Sequence, residues 1–405
     1  MPMPLEGIRV IDWTAWQQGP VATMMLADLG AEVIKIEDRK GGDAGRGIIS
    51  SAGVDLQAGR VPSAYFEGNN RNKKSLTLDL KQPEGVEIVH KLAAVSDVFA
   101  HNFRKGVPER LGIGYEDLKA RNDKLIYAVA SGYGPEGPDA AEPSFDLMGQ
   151  ARSGLMYSVG DPGAPPLAVG AGVSDQVGAM MLCHGVMSAL VARERFGIGQ
   201  RVDSSHLGSM AWMLNLSLSS KLLAGSAHPR TTRTMGFNVL WNAYRCQDDK
   251  WLCLAMIQAD RYWADFCRTL EREDMISDER FADMVVRAQN GAACVAELDA
   301  TFAKRPRAEW MERLKKGGDF IYTAVQSVDE LPDDVQMRAN DYIVDFEHPQ
   351  YGTIQHIGIP IQLSETPGGI RTPSPELGQH TEEVLTEVLD YSWDDVAALR
   401  EKQVL

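Results

Sequence analysis

Along the first two hundred residues, short apolar runs alternate with stretches whose apolar positions recur at helical spacing. Ile8–Trp13 predicts a strand, and Gly19–Leu29 places Val21, Met24, Met25 and Leu29 on one face of a helix. Val33–Ile36 is a second strand, followed by a glycine-rich loop from Gly41. Ser75–Leu80 alternates, Pro83–Leu92 is helical, Val98–His101 is a strand, Val107–Lys119 is helical again, and Leu125–Ala130 is a buried strand. Such alternation implies an α/β fold: a Rossmann-like, mainly parallel sheet covered on both faces.

Gly134–Pro138 interrupts the pattern with turn residues. A long helix is then predicted from about Ser174 to Arg195, stopped by Phe196–Gly199, with Arg201–Ser205 extended and Leu207–Leu223 a helix leading away. From about residue 226 to 325 the chain changes character. Five of its eight tryptophans (Trp212, Trp241, Trp251, Trp263 and Trp310) lie in or beside that stretch. The reading is therefore a large domain over 1–205, a linker helix over 206–225, a smaller inserted α+β domain over 226–325, and a return to the large domain over 326–405. In that last part Tyr342–Glu347 and Thr353–Leu363 are extended and Glu382–Leu389 is helical, with prolines at 360, 367, 373 and 375 spacing the turns.

Composition narrows the function. Hydrophobic residues make up 44% and charged residues 24%, the balance of a folded chain with a sizeable core. A net charge of -15 repels phosphate backbones, so nucleic acid is not expected as a partner. The basic residues are concentrated, however. Arg71, Lys73, Lys74 and Lys81 face a lone Asp79 in one segment, and Arg104, Lys105 and Arg110 face Glu109 in another. Solvated loops and a small anionic ligand explain these clusters equally well. Five cysteines without a CxxC pair argue against both a disulfide framework and a zinc site. Residues 1–7 lack the basic start and apolar run of a secretory signal, and the stretch 177–192 is too short and too interrupted to span a bilayer. A cytoplasmic location with no membrane partner is expected.

Several chemistries drop out. The turn after the first strand, Trp13-Thr-Ala-Trp-Gln-Gln-Gly-Pro20, has one glycine where a dinucleotide fold needs three. GxSxG, P-loop and HExxH patterns are absent from the sequence. His184 reads as a core histidine, and His348 and His380 read as loop anchors. Asp175 is more informative. It follows Ser174 at the predicted start of the long helix, where either residue can cap free amides. The same setting favours an ionised carboxylate, and Gly170, Gly172 and Gly178 leave room beside it. Residue physics alone favours the cap over a nucleophile.

A family resemblance then becomes visible nearly end to end. It is carried by Leu5-Glu-Gly-Ile-Arg-Val-Ile-Asp12, Gly19-Pro20, Leu26-Ala-Asp-Leu-Gly-Ala-Glu-Val-Ile-Lys-Ile-Glu37, Asn70-Arg-Asn-Lys-Lys-Ser-Leu-Thr-Leu-Asp79 and Asn102-Phe-Arg104. Ser131-Gly-Tyr-Gly134, Phe145-Asp146-Leu147, Gly199-Gln-Arg-Val-Asp203 and Arg371-Thr-Pro-Ser-Pro-Glu-Leu-Gly-Gln-His-Thr381 complete it. The order and spacing of these strings resemble the family III CoA-transferases (the CaiB/BaiF group), which include formyl-CoA:oxalate and carnitine CoA-transferases.

The resemblance implies that Asp175 is the nucleophile of a ping-pong transfer, by way of an aspartyl anhydride and an aspartyl-CoA thioester, with Gln17 and Gln18 beside the thioester. Backbone amides around Gln17–Gly19 are the implied oxyanion donors. Asn70, Arg71, Asn72 and Lys73, together with Asn102, Phe103 and Arg104, would line the CoA channel, with Arg110 near the phosphates. Ser131, Gly132, Tyr133 and Gly134 would approach the pantetheine arm. Asp38 stands where some relatives have arginine, leaving Arg39 as the adenine-end contact. Implied partners are acyl-CoA and small carboxylic acids, with coenzyme A as substrate and product rather than a tightly bound cofactor, in an interlocked homodimer. Related 2-methylacyl-CoA racemases carry a histidine where this chain has Phe145, which cannot move a proton. One subunit of a two-subunit transferase is a further alternative. The glycine-rich loop of the formyl-CoA enzyme is missing from 226–260. Met235, Phe237 and Trp241 stand there instead, read equally as core residues and as contacts to a larger acyl group.

Overall fold

The apolar runs become the strands of one six-stranded sheet because their side chains are needed on both of its faces. The computed structural model describes all residues except 52, 58–60 and 171. It contains β1 (Arg9–Trp13), β2 (Glu32–Glu37), β3 (Lys73–Thr77), β4 (Val98–His101), β5 (Ile126–Ser131) and β6 (Arg201–Ser205), in the order β3-β2-β1-β4-β5-β6. Every pairing is parallel. Strand order reverses between β1 and β4, the switch point at which doubly wound sheets open a crevice beyond their carboxyl ends.

The crossovers carry α1 (Gln18–Asp28), α2 (Ala64–Asn70) and α3 (Pro83–Ala94). Between β5 and β6 lie α4 (Asp146–Ser153) and α5 (Val173–Phe196), and α6 (His206–Met213) and α7 (Asn215–Ala224) follow β6. Alternation along each strand sends side chains to two cores. Val10, Val33, Val98, Ala100, Ile126 and Ala128 pack with α1 and α5. Ile11, Ile34, Phe99, Tyr127 and Val129 pack with α3 and with Val396 and Leu399 of the C-terminal helix Trp393–Glu401. Among the described residues α5 is the one helix long and apolar enough to cross a membrane by length and composition. Its Ala179, Leu182, Val186 and Leu190 belong to the first core.

The chain divides into two compact units. One comprises 1–157, 167–228 and 339–405; the other comprises 158–166 and 229–338. The second has a three-stranded antiparallel sheet of Trp241–Arg245, Trp251–Ala255 and Tyr322–Val325. Its own core gathers Tyr244, Trp263, Phe266, Phe281, Phe302 and Trp310. Met235, Phe237 and Trp241 are exposed, so the core reading of those three is overturned.

Several predicted elements are subdivided. The helix expected over 207–223 is two helices that meet at Leu214. Val107–Lys119 is two short turns, Val107–Arg110 and Tyr115–Lys119, because Gly112 has a φ of 72°. The strand expected over 353–363 ends at Ile357, ahead of Pro360. Two helices, α2 and α4, escape the apolar pattern because they are short and polar.

The segment expected to line a CoA channel, Asn70–Lys73, is instead a buried clasp inside the first unit. Arg71 donates to both oxygens of Asp28 and to the Ile357 carbonyl. Asn72 donates to Asp28 at 2.8 Å and to the Gly369 carbonyl at 2.9 Å, while its own carbonyl accepts from the amides of Arg371 and Thr372. The clasp ties residues 357–372 to α1. Removing one partner leaves a buried charge uncompensated, so Asp28→Ala is expected to lower unfolding free energy by about 3–5 kcal/mol. Urea titration checks this; a loss below about 1 kcal/mol, the range of an exposed pair, would show that Arg71 is not held by Asp28.

Candidate active site

The loop leaving β1 is fixed from three sides. Lys35 of the neighbouring β2 donates to the Thr14 carbonyl at 2.8 Å, and its ammonium is 2.9 Å from Asp43. Asp43 in turn accepts the Trp16 amide at 3.0 Å. Asn102, just past β4, bonds Ala15 twice: its amide nitrogen donates to the Ala15 carbonyl and its oxygen accepts the Ala15 amide. These bonds hold Trp16 at a φ of 68°, a conformation a tryptophan rarely adopts. Gly19 is required at the turn, since a β-carbon there would collide with Thr14.

Beneath the loop lie Asp12, Lys35 and Lys73, all fully buried. Burial raises the Asp12 carboxyl, but Lys35 and Lys73 outweigh it and hold Asp12 below the usual range. Burial and the neighbouring Lys35 bring Lys73 down to about 8 despite its contact with Asp12.

The start of α5 shows what Asp175 is free to do. The residue before the helix is Gly172, which has no side chain to cap it. Asp146, at the start of α4, supplies the cap: its Oδ1 accepts the Ser174 amide at 2.6 Å and the Asp175 amide at 3.3 Å. Gln150 steadies the other Asp146 oxygen at 2.6 Å. The cap role considered for Ser174 and Asp175 is thereby corrected. The Asp175 carboxylate lines a cavity and sits 2.8 Å from His206 Nε2. The other ring nitrogen of His206 is 3.3 Å from Ser144 Oγ. Gly149 permits this packing, because a β-carbon there would strike Ser174 and His206.

Asp175, His206, Trp16, Gln18 and Tyr65 share the wall of a cavity of about 530 Å³ at the carboxyl ends of β1, β4 and β5. Burial, with Asp175 and Asp43 facing it, pushes the Tyr65 hydroxyl well above its ordinary range. Gln18 Nε2 is buried without a hydrogen-bond partner among the described residues. A second cavity, of about 550 Å³, shares Ala15, Trp16 and Phe103 with the first and extends past Leu78–Lys81 to Arg110. Arg104, Arg110 and Lys81 at these walls carry no ion pair among the described residues. No group of three or more His, Cys, Asp or Glu among those residues is placed to hold a metal ion.

A sequence model of CoA-transferase family III matches residues 5–381. The chain belongs to CoA-transferase family III. It is 33% identical over 388 residues to a succinyl-CoA:glutarate CoA-transferase of Mus musculus, covering 96% of this chain and 87% of that protein. Over 407 residues it is 30% identical to a (R)-2-hydroxy-4-methylpentanoate CoA-transferase of Clostridioides difficile, covering all of both. The solved structure of a CaiB/BaiF family protein from Brucella suis superposes with a TM-score of 0.86 at 28% identity, covering 96% of this chain and all of that one.

Within this family III fold the expected site residues separate. Asp175, Gln18, Asn102, Phe103, Arg104, Ser131, Gly132 and Gly134 line the first cavity, and Arg110 the second. Gln17 lies behind the wall, its amide against Gly172. The Tyr133 ring lies under Arg152 instead. Arg39 donates to Gln403 and leaves the second cavity to Asp38. Asn70–Lys73 reach neither cavity. Missed in sequence were His206, Ser144, Trp16, Tyr65 and residues 78–80. Lys81, the last cation of the first basic cluster, does reach the second cavity.

His101 lines the same cavity, packed against Trp13, Phe99 and Tyr127. Burial, helped by Arg201, pulls it from 6.5 to about 3. In the unfolded chain it protonates near 6.5, so the unfolded state binds the extra proton first as pH falls. The contribution of His101 to stability is complete above about pH 6.5 and is lost progressively toward about pH 3. His101→Phe is expected to flatten the fall in unfolding free energy across that window by up to about one proton. Urea titrations at stepped pH check it; parallel profiles for the two proteins would refute it.

Proposed function

We propose that the chain moves coenzyme A between small carboxylic acids by covalent catalysis at Asp175. The observation that carries this is the Asp146 cap, which leaves the Asp175 carboxylate on the cavity wall with no structural task at its own helix end. A carboxylate nucleophile toward a thioester must be ionised and reachable, and the start of α5 favours its charge.

In this reading Asp175 attacks the donor thioester carbonyl and expels the CoA thiolate, forming an acyl-aspartyl anhydride. The thiolate attacks the aspartyl carbon, releases the donor acid and leaves an aspartyl-CoA thioester. The acceptor carboxylate then attacks the aspartyl carbon and expels the thiolate, which takes the acceptor's acyl group and regenerates Asp175. The buried, unpartnered Gln18 amide is suited to the oxyanion formed on the thioester carbonyl. Arg104, Arg110 and Lys81 are suited to the phosphates of CoA, since none of them is held in an ion pair among the described residues. Phe145, 60% exposed at the cavity and edge-on to Trp16, offers no base for moving an α proton. The names of the relatives favour dicarboxylic or branched hydroxy acids as acceptors. Exposed Trp212, Leu216, Leu222 and Leu223 on α6 and α7 support a homodimer, which a sedimentation mass twice that of the chain checks.

Exchange is read by product mass after mixing succinyl-CoA and other CoA esters with a panel that includes glutarate. Asp175→Ala is expected to lose activity by about 10⁴-fold or more at unchanged fold. Activity within tenfold of wild type would sink the nucleophile. Arg110→Ala is expected to raise KM for the CoA ester about tenfold with little change in kcat, the effect of losing one charge-assisted contact.

A further inference from the structure

The two oxygens of Asp175 are not equivalent. Oδ1 is 2.8 Å from His206 Nε2, and Oδ2 has no hydrogen bond among the described residues. His206 is only 4% exposed and opens α6, so its ring is fixed by the helix start and by Ser144 on its far side. An ionised carboxylate only accepts, so Nε2 carries the hydrogen; Nδ1 meets a hydroxyl that suits it either as donor or as acceptor. Glycines enforce the arrangement, since a β-carbon at Gly132 would strike Ser144 and one at Gly149 would strike His206.

We propose that His206 is a catalytic residue that holds Oδ1 as the retained oxygen of Asp175 and donates to it when it becomes an oxyanion. The inference rests on Asp175 as the nucleophile. Oδ2, the free oxygen, attacks the donor acyl carbon and becomes the bridging atom of the anhydride. When the CoA thiolate attacks the aspartyl Cγ, the carbonyl electron pair moves onto Oδ1, still within reach of His206 Nε2–H. Collapse restores the carbonyl and breaks the Cγ–Oδ2 bond, so Oδ2 leaves in the donor acid. The acceptor carboxylate attacks the same carbon, again placing charge on Oδ1, and the CoA thiolate leaves. Final attack of the thiolate on the acceptor's acyl carbon leaves one acceptor oxygen on Asp175. Each turnover therefore replaces one oxygen of Asp175 and spares the one that His206 grips.

The test uses the full chain, succinyl-CoA and a large excess of glutarate labelled with oxygen-18 in both carboxylates, or whichever pair exchanges fastest in the mass screen. After many turnovers the peptide containing Asp175 is weighed. Wild type is expected to plateau at one heavy oxygen. His206→Leu is expected to slow kcat by about 10²–10³-fold, the cost of one lost oxyanion donor, and to accumulate two heavy oxygens as the carboxylate turns over freely. His206→Gln, which keeps an N–H donor, is expected to recover part of the rate. Two heavy oxygens in wild type, or one in His206→Leu, would overturn the role of His206 while leaving the nucleophile intact. Turnover with no label in Asp175 would overturn the nucleophile itself. The wild-type measurement stands even if His206→Leu does not fold.

Discussion

Two buried ammonium groups set the terms for the rest of the first unit. Lys35 and Lys73 are fully buried, and each would cost several kcal/mol without a partner. Asp12 of β1 and Asp43 of the loop after β2 answer them, with Thr14, Thr23 and Asn70 satisfying what remains. These partners come from four separate stretches of chain, so the network forms only when β1, β2 and β3 are in register. Lys35 spends one of its donors on the Thr14 carbonyl, and Asp43 takes the Trp16 amide. The cost of leaving a buried charge unpaired is thereby transmitted to the loop at the switch point. That loop can hold Trp16 at positive φ, a strain of roughly 1–3 kcal/mol, because releasing it would break bonds to buried charges.

The second constraint is a division of labour between two aspartates. A helix start offers free amides and a favourable field to any carboxylate nearby. Had Asp175 been the cap, its oxygens would be spent on backbone. Asp146 takes that task from a neighbouring helix and is itself braced by Gln150, whose amide also bonds the Val169 carbonyl. Asp175 keeps the field of the helix and loses the obligation to bond it. Gly172, Gly149 and Gly178 admit Gln17, His206 and Gln18 at distances that any side chain would prevent. The site thus depends on missing atoms as much as on present ones.

Much of this fold was legible because strand period and helix period differ, and the parallel sheet needs apolar residues on both faces. Strands β1, β4 and β5 were read almost to their ends for that reason. The breaks were harder to see. Leu214 divides α6 from α7 without a glycine or proline, and the polar α2 and α4 show no apolar face. Asp175 was singled out in the sequence, but its freedom from capping was not, because the cap comes from residue 146 and such a bond leaves no mark in local sequence. His206 was invisible for the same reason: 31 residues separate it from the carboxylate it touches.

The basic clusters show most clearly where sequence reading stops. Cations close together in sequence left solvated loops and a small anionic ligand equally open, and the fold distributes them by alternation and depth. Arg71 and Lys73 turn inward to Asp28 and Asp12, while Lys74 faces outward to Glu32 and Glu383. Only Lys81, beyond the end of the strand, is left at a cavity with Arg110. On the proposed function, a chain of net charge -15 would attract a polyanion by leaving a few cations outside ion pairs, rather than by collecting many. Paired cations contribute little field beyond their partners, whereas cations outside an ion pair keep more of theirs beside a concave, low-dielectric wall. The count of lysines and arginines in a segment is thus a weaker guide to phosphate binding than the count of nearby carboxylates that fail to reach them.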